Sequence, residues 1–362
     1  MLDISATALN VVTRSFTMAI RAESWLGDQL LAADIPVSDG SESRDRSLAV
    51  PEQISLTVPR RDRGTSWDPT SPDGPLAAYG QQLRIGYGVD VGGSFEYINR
   101  GTFPIASSDT TGDTVTVTCE GLLSLIVEAK LPSVFQPSGT LMSTVQALVE
   151  PALTVQFDAA LTDRAVPLGM QWDNDRMNAL QEVVAAFPAA CRVTENGILL
   201  VEPVIDTGTP VLALTDGTGG TVVKWQGGTT RDGAFNTVIA QGQDASSNQL
   251  TGVAYDLNQN SPYYIGGPFS PLVVPNFYSS PLLTTVAQCT AAAQTRLQTL
   301  RRTNSRTLKV TMVPHPGLVT GDFVSITSVP LGLNGVLCSI ETMALPYGPG
   351  EMDMTVRVLA GG

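Results

Sequence analysis

A chain of 362 residues, 43% of them hydrophobic, is long enough for two or three domains with their own cores. Its net charge of −13 excludes a sequence-independent nucleic-acid binder, which needs cations to displace counterions from phosphates. Only 15% of residues are charged, against roughly 25% in an average soluble protein, so much of the surface is expected to be covered by something else.

From residue 14 to 121 short strands alternate with turns. "SFTMAIRAES" reads as a half-buried strand, and "LLAADIPVSDGSES" as a strand and tight turn with Asp39-Gly40 at its tip. "QISLTVPR" places Ile54, Leu56 and Val58 on one face. "RDRGTSWDPTSPDGP" is a loop, and "QLRIGYGVDV", "FEYINRGTF" and "DTVTVTCEG" complete a β unit of barrel or sandwich type over residues 1–120.

At Gly121 the period changes, and residues 121–204 are predicted to form a small α/β insert. "LLSLIVEA" and "GTLMSTVQALVE" look helical. "DNDRMNALQEVVAAF" is a helix with Asp173 or Asn174 as cap and Met177, Leu180, Val184 and Phe187 on its apolar face. "AACRVTENGILLVEP" is a hairpin turning at Asn196-Gly197.

Residues 205–362 return to strands, of which those within 205–245 are candidates to complete the first β unit. A polar, aromatic stretch over 261–278 precedes the long helix, predicted over 281–302. Ser280 would cap it, with Pro281 in its first turn. Leu282, Val286, Cys289, Ala293, Leu297 and Leu300 form its apolar stripe. Four strands follow and make a second barrel-like unit. The fold class is therefore mainly β, with two barrel-like domains, a small α/β insert and one long helix.

The chemical motifs are mostly decoys. "GYGVDVGG" lacks the third glycine and the strand-to-helix context of a dinucleotide loop, and reads as a hairpin. "TDGTGGT" lacks the Lys-Ser/Thr of a phosphate cradle. Cys119, Cys191, Cys289 and Cys338 form no CxxC pair and read as buried free thiols. The N-terminus lacks the pattern of a signal peptide, and no apolar run is long enough to span a membrane. The single histidine, His315, precedes Asp322 by seven residues in "TMVPHPGLVTGDFVSI". Pro314 and Pro316 hold it extended at a strand end, Gly321 is available for positive φ, and Asp322 can bond turn amides. The pair is expected to be a structural turn with His315 exposed. No catalytic, cofactor or metal site is expected, and a carboxylate pair remains the one enzymatic alternative.

Taken together, "TVAQCTAAAQTRLQTLRR", "SRTLKVTMVPHPGLVTGDFVSI" and "VLCSIETMALPYGPGEMDMTVRVL" resemble the order of elements in the hub proteins of long-tailed phages. There a long helix leads to a strand, a Pro-x-Leu-x-x-Gly-Asp turn and a closing hairpin. "MNALQEVVAAFPAACRVTENGILLVEP" is similar to the small α/β insert of that family, and the N-terminal third resembles minor tail proteins of actinobacteriophages. The resemblance implies a virion structural protein of the tail tip, made in the bacterial cytoplasm, without enzymatic activity or cofactor. It implies a homotrimer whose six barrels make a pseudo-sixfold ring. That ring would meet the tail tube and distal tail proteins, the tape-measure protein, and tip fibre or receptor-binding proteins, and DNA would pass through it without specific binding. The chain stops at "VLAGG", so the adhesive or wall-cleaving extensions of some hub proteins are not expected. A cell-wall or carbohydrate-active protein and a distal tail adaptor ring are the alternatives.

Only Lys130, Lys224 and Lys309 among 21 basic residues are lysine. A weakly hydrated, forked guanidinium suits interfaces, although a GC-rich genome gives the same bias. Arg44, Arg46, Arg60, Arg61 and Arg63, in "SRDRSL" and "PRRDRG", are the candidate subunit-interface residues, facing carboxylates of a neighbour.

Overall fold

The computed structural model describes residues 1–166, 169–186, 189–205, 207–228, 234–244, 246–259, 261–280, 283–303 and 307–359, with the backbone alone at 301–303. The protein is mainly β, and its largest element is a 13-stranded sheet. Its main path runs through Val222–Gly228, Thr307–Met312, Met352–Val358 and Leu333–Pro346 to Asp39–Asp45. From there it continues through Glu52–Pro59, Thr114–Glu120, Phe95–Thr111, Gln81–Asp90, Met18–Leu26 and Gln29–Ala32. Leu212–Thr215 joins through Phe323–Ser328, which pairs with Leu333–Pro346.

Two barrel-like units were expected, whereas the described strands form one continuous sheet and no pairing closes it into a barrel. The junction is the antiparallel pairing of Leu333–Pro346 with Asp39–Asp45, where Leu345 lies opposite Glu42. One apolar core accordingly draws on both ends of the chain, from Ile54, Leu56 and Val58 to Val310, Ile340 and Val356. Asp39 and Gly40 open a strand here and are not a turn tip. A Cβ at Gly40 would come within 2.5 Å of the Ser55 carbonyl oxygen, so glycine permits this close strand contact.

A second core covers residues from Leu122 to Val201, with Ser124–Glu128, Leu141–Val149 and Arg176–Ala185 packed on a three-stranded sheet. Asp175 caps the third of these helices by accepting from the Asn178 amide at 3.0 Å, one or two residues later than the sequence implied. Gly197 turns the hairpin between Ala189–Val193 and Ile198–Pro203 at φ +78°. Phe187 lies outside the described residues.

A third core lies between the helix Val286–Thr303 and the sheet of Gln249–Tyr255, Thr237–Gln243 and Pro275–Ser279. The helix starts later than predicted, with Thr285 capping its first turn. Thr285 Oγ1 accepts from the Gln288 amide at 3.2 Å, and Gln288 Oε1 accepts from the Thr284 amide at 2.8 Å. Pro281 and Leu282 lie outside the described residues. Cys289, Ala293 and Leu297 face the sheet and are buried. Leu297→Ala is expected to cost about 2–3 kcal/mol by opening a cavity. Protection of the helix amides from hydrogen exchange reads that loss, and unchanged protection would show that the stripe does not carry the packing.

Candidate functional site

The strand Asp39–Asp45 is unusual in that two charged residues face inward: Glu42 and Arg44 are buried, while Ser41 and Ser43 are exposed. Glu42 meets Arg100, which a β-bulge aims at it. Ile85 pairs with Gly101 and Gly86 with Asn99, leaving Arg100 as the extra residue, and Gly101 takes φ +126° to complete the kink. Both Glu42 and Arg100 are 0% exposed.

Glu42 is the hub of a satisfied network. Arg100 forks onto it with Nη2 to Oε1 at 2.6 Å and Nε to Oε2 at 2.8 Å. Arg44 Nε donates to Oε1 at 2.5 Å, and the Tyr347 hydroxyl donates to Oε2 at 2.8 Å. Arg100 Nη1 donates to the carbonyls of Pro316 and, at 3.2 Å, Leu318. Arg44 Nη2 closes the network on the Arg100 carbonyl at 2.9 Å. Burial alone would raise the Glu42 pKa, but the two guanidinium groups outweigh it and hold the carboxyl at about 2. Three distant segments thereby meet at one carboxylate, and Arg100 ties a fourth, the turn at Pro316 and Leu318, to them.

One of those segments is the turn around His315. Gly321 takes φ +90°, Asp322 Oδ2 accepts from the Val319 amide at 3.0 Å, and the Ile340 carbonyl accepts from the Gly321 amide at 2.8 Å. His315 departs from the expectation of exposure, since it is 2% exposed. The N-terminal segment lies against this turn, with the Leu2 amide donating to the Gly317 carbonyl at 2.7 Å. Burial pushes the imidazole pKa down to about 4. His315→Ala is therefore expected to cost about 1–3 kcal/mol in urea unfolding, through lost packing. A change under 0.5 kcal/mol would return His315 to the surface.

Above Arg44 the curved sheet forms a groove of about 840 Å³. Lys224 and Lys309 line it on adjacent strands at one end, and Glu52 and Glu120 on adjacent strands at the other. Glu52 is 8% exposed, its Oε2 has no hydrogen-bond partner, and burial raises its pKa. A Cβ at Gly121 would sit 2.3 Å from that oxygen, so the glycine makes room for the carboxylate.

The arginines singled out from the sequence separate. Arg44 is buried beneath the groove, with its guanidinium engaged by Glu42 and the Arg100 carbonyl and not displayed at the surface. Arg46 lies 4.0 Å from Glu341 at the surface. Arg60 Nε donates to both Asp68 oxygens at 2.8 Å, and this fixes the base of a short hairpin, Arg61–Asp62 with Thr65–Ser66. Arg61 is exposed, and the Arg63 side chain is 93% exposed at the hairpin tip. Glu42, Arg100, Tyr347 and Glu52 did not stand out in the sequence. The one available signal was the "NRG" bulge before Gly101.

No protein-family model matches the chain, and no curated protein does. Solved structures do. The tail protein from Neisseria meningitidis MC58 is 13% identical, with 94% of this chain and 96% of that one covered at a TM-score of 0.69. The 43 kDa tail protein of prophage MuSo2 from Shewanella oneidensis is 13% identical, covering 94% and 98% at 0.59. The prophage tail protein gp18 from Listeria monocytogenes EGD-e is 10% identical, covering 95% of each chain at 0.56. At these identities the likeness is one of fold, and it runs over nearly the whole of each chain.

Proposed function

We propose that this chain is a structural subunit of a phage tail, and that copies of it form the hub ring at the tail tip. The observation that carries this reading is the fold likeness to a tail protein over 94% of this chain and 96% of that one. It leaves little of either chain outside the shared architecture. The ion cluster supports a mechanical role. Glu42 fastens strands from both ends of the sequence, so that load applied at one edge of the sheet is shared by the other.

In this reading the ring is a homotrimer that closes the distal end of the tail tube. It meets distal tail proteins on one side and tip fibre or receptor-binding proteins on the other, with the tape-measure protein inside. The net charge of −13 suits a passage that phosphates traverse without adhering. The unit around residues 121–204 and the aromatic stretch 261–278 lie on its outer or lower surface. Catalysis is no part of the role.

Electron microscopy of virions carrying a labelled copy of the chain tests the proposal. Label at the tail tip in stoichiometric amount is the expected result. Absence of the chain from purified virions, or hydrolysis of peptidoglycan by the isolated chain, would overturn it.

A further inference from the structure

The groove and the Arg63 hairpin lie at opposite ends of the same strand. Glu52 opens the strand Glu52–Pro59 and lines the groove, whereas Arg60 and the hairpin follow directly on Pro59. Seven steps of about 3.3 Å separate the strand ends by roughly 23 Å, so a hairpin held at its base does not reach its own groove.

Beside the hairpin stands the turn between Phe95–Thr111 and Thr114–Glu120. The Arg60 amide donates to the Asp113 carbonyl at 2.8 Å, and Thr110 Oγ1 donates to Asp68 at 3.3 Å. This end of the molecule therefore presents exposed Arg61 and Arg63 next to exposed Asp109 and Asp113. The groove carries Glu52 and Glu120 at one end and Lys224 and Lys309 at the other, with Asp353 beside the lysines and Asp45 also in its lining. Neither lysine belongs to an ion pair among the described residues. At the acidic end Glu120 is the more accessible of the two carboxylates, since Glu52 is 8% exposed.

The hairpin tip is itself unusual. Arg63 holds φ +46° ahead of Gly64 at φ +86°, a position where asparagine, aspartate or glycine is the ordinary choice. Among the described residues only Ser247 shares this left-handed geometry without being glycine. An arginine kept there at a conformational cost is displayed outward on a rigid turn.

We propose that this end of one copy seats in the groove of the next. Arg63 meets the Glu52 and Glu120 end, and Asp113 meets the Lys224 and Lys309 end. The inference rests on the ring reading above and specifies the contact within that ring. It is a head-to-tail contact between two different surfaces, the kind that repeats from subunit to subunit and gives a ring where the rotation between neighbours closes.

Charge reversal in the full chain, followed by sedimentation over a concentration series, tests it. Arg63→Glu and Glu120→Arg are each expected to weaken self-association by about tenfold or more, and the double variant to restore it to within about threefold. Asp113→Lys with Lys309→Asp repeats the test at the other end. Thermal melting of each variant confirms that the fold is intact, since the Arg63 side chain is 93% exposed. If the wild type assembles and Arg63→Glu assembles as tightly, the contact lies elsewhere and the ring reading stands. If the wild type stays monomeric at every concentration, this contact is wrong, and labelled virions decide the ring reading separately.

Discussion

Glu42→Gln is expected to lower the unfolding free energy by about 3–5 kcal/mol, the cost of leaving buried charge uncompensated. Glutamine keeps the shape of the side chain but withdraws the negative charge from two guanidinium groups, one of them wholly buried. Four donors converge on the Glu42 oxygens, from Arg44 Nε, Arg100 Nε and Nη2, and Tyr347. A glutamine has one acceptor oxygen, and its amide nitrogen would face donors. Urea titration at pH 7 reads the effect as a lower midpoint with an unchanged slope. Trp67 and Trp225 report the large core, and Trp172 the second. A loss under about 1 kcal/mol would show that the cluster contributes little.

The same cluster sets the acid limb of stability. A carboxyl held at about 2 in the folded state, against 4.5 ordinarily, stabilises the fold at pH values above 4.5. That contribution falls away as pH drops from 4.5 towards 2. His315 acts in an earlier window. Its imidazole is held at about 4 against 6.5, so between those values the unfolded chain takes up a proton that the folded chain refuses. Stability therefore falls from pH 6.5 to 4 through His315 and from 4.5 to 2 through Glu42. Glu42→Gln is expected to keep the first decline and lose the second. A variant whose acid limb matches the wild type below pH 4.5 would assign that limb to other carboxyls.

Where local pattern governs, the sequence could be read. Ile54, Leu56 and Val58 alternate because one face of their strand is core, and Asn196-Gly197 turns its hairpin because glycine accepts positive φ there. The junction of the sheet could not be read in this way. Leu333–Pro346 pairs with Asp39–Asp45 across some 300 residues, and nothing local to either strand names its partner. Asp39-Gly40 reads as a turn tip because Asp-Gly is a turn dipeptide, and nothing counters it, since alternation marks a strand only when the buried side is apolar and here it is charged. Arg44 looked like an interface residue because of its charge. A buried ion cluster and a solvent-facing one share a composition, and only the converging segments tell them apart. The exposure assigned to His315 failed likewise, since the segment lying over its turn comes from the other end of the chain.

Gly252→Val is expected to cost about 4 kcal/mol or more, concentrated in the third core. A Cβ at Gly252 would stand 2.2 Å from the Thr290 amide nitrogen and 2.4 Å from the Cys289 carbonyl carbon, both main-chain atoms of the long helix. Gly242 on the neighbouring strand is as tightly placed, 2.0 Å from the Leu283 carbonyl oxygen. Ala240 and Ala254 share that face, and Cys289 and Ala293 answer them from the helix, so small side chains on both sides let the two backbones approach. No side-chain rotation relieves a contact with main chain, and the helix must lift. Valine is among the best strand formers, so strand propensity would favour the variant, and any loss reports the helix contact alone. This unit contains no tryptophan, since all four lie elsewhere, at positions 25, 67, 172 and 225. The measurement is therefore hydrogen exchange of the helix Val286–Thr303, with Trp172 fluorescence as the control for the second core. Loss of protection over the helix with an unchanged Trp172 transition is the expected result. Retained protection would mean that the helix already stands clear of the strand, and that the small residues beneath it serve some purpose other than close packing.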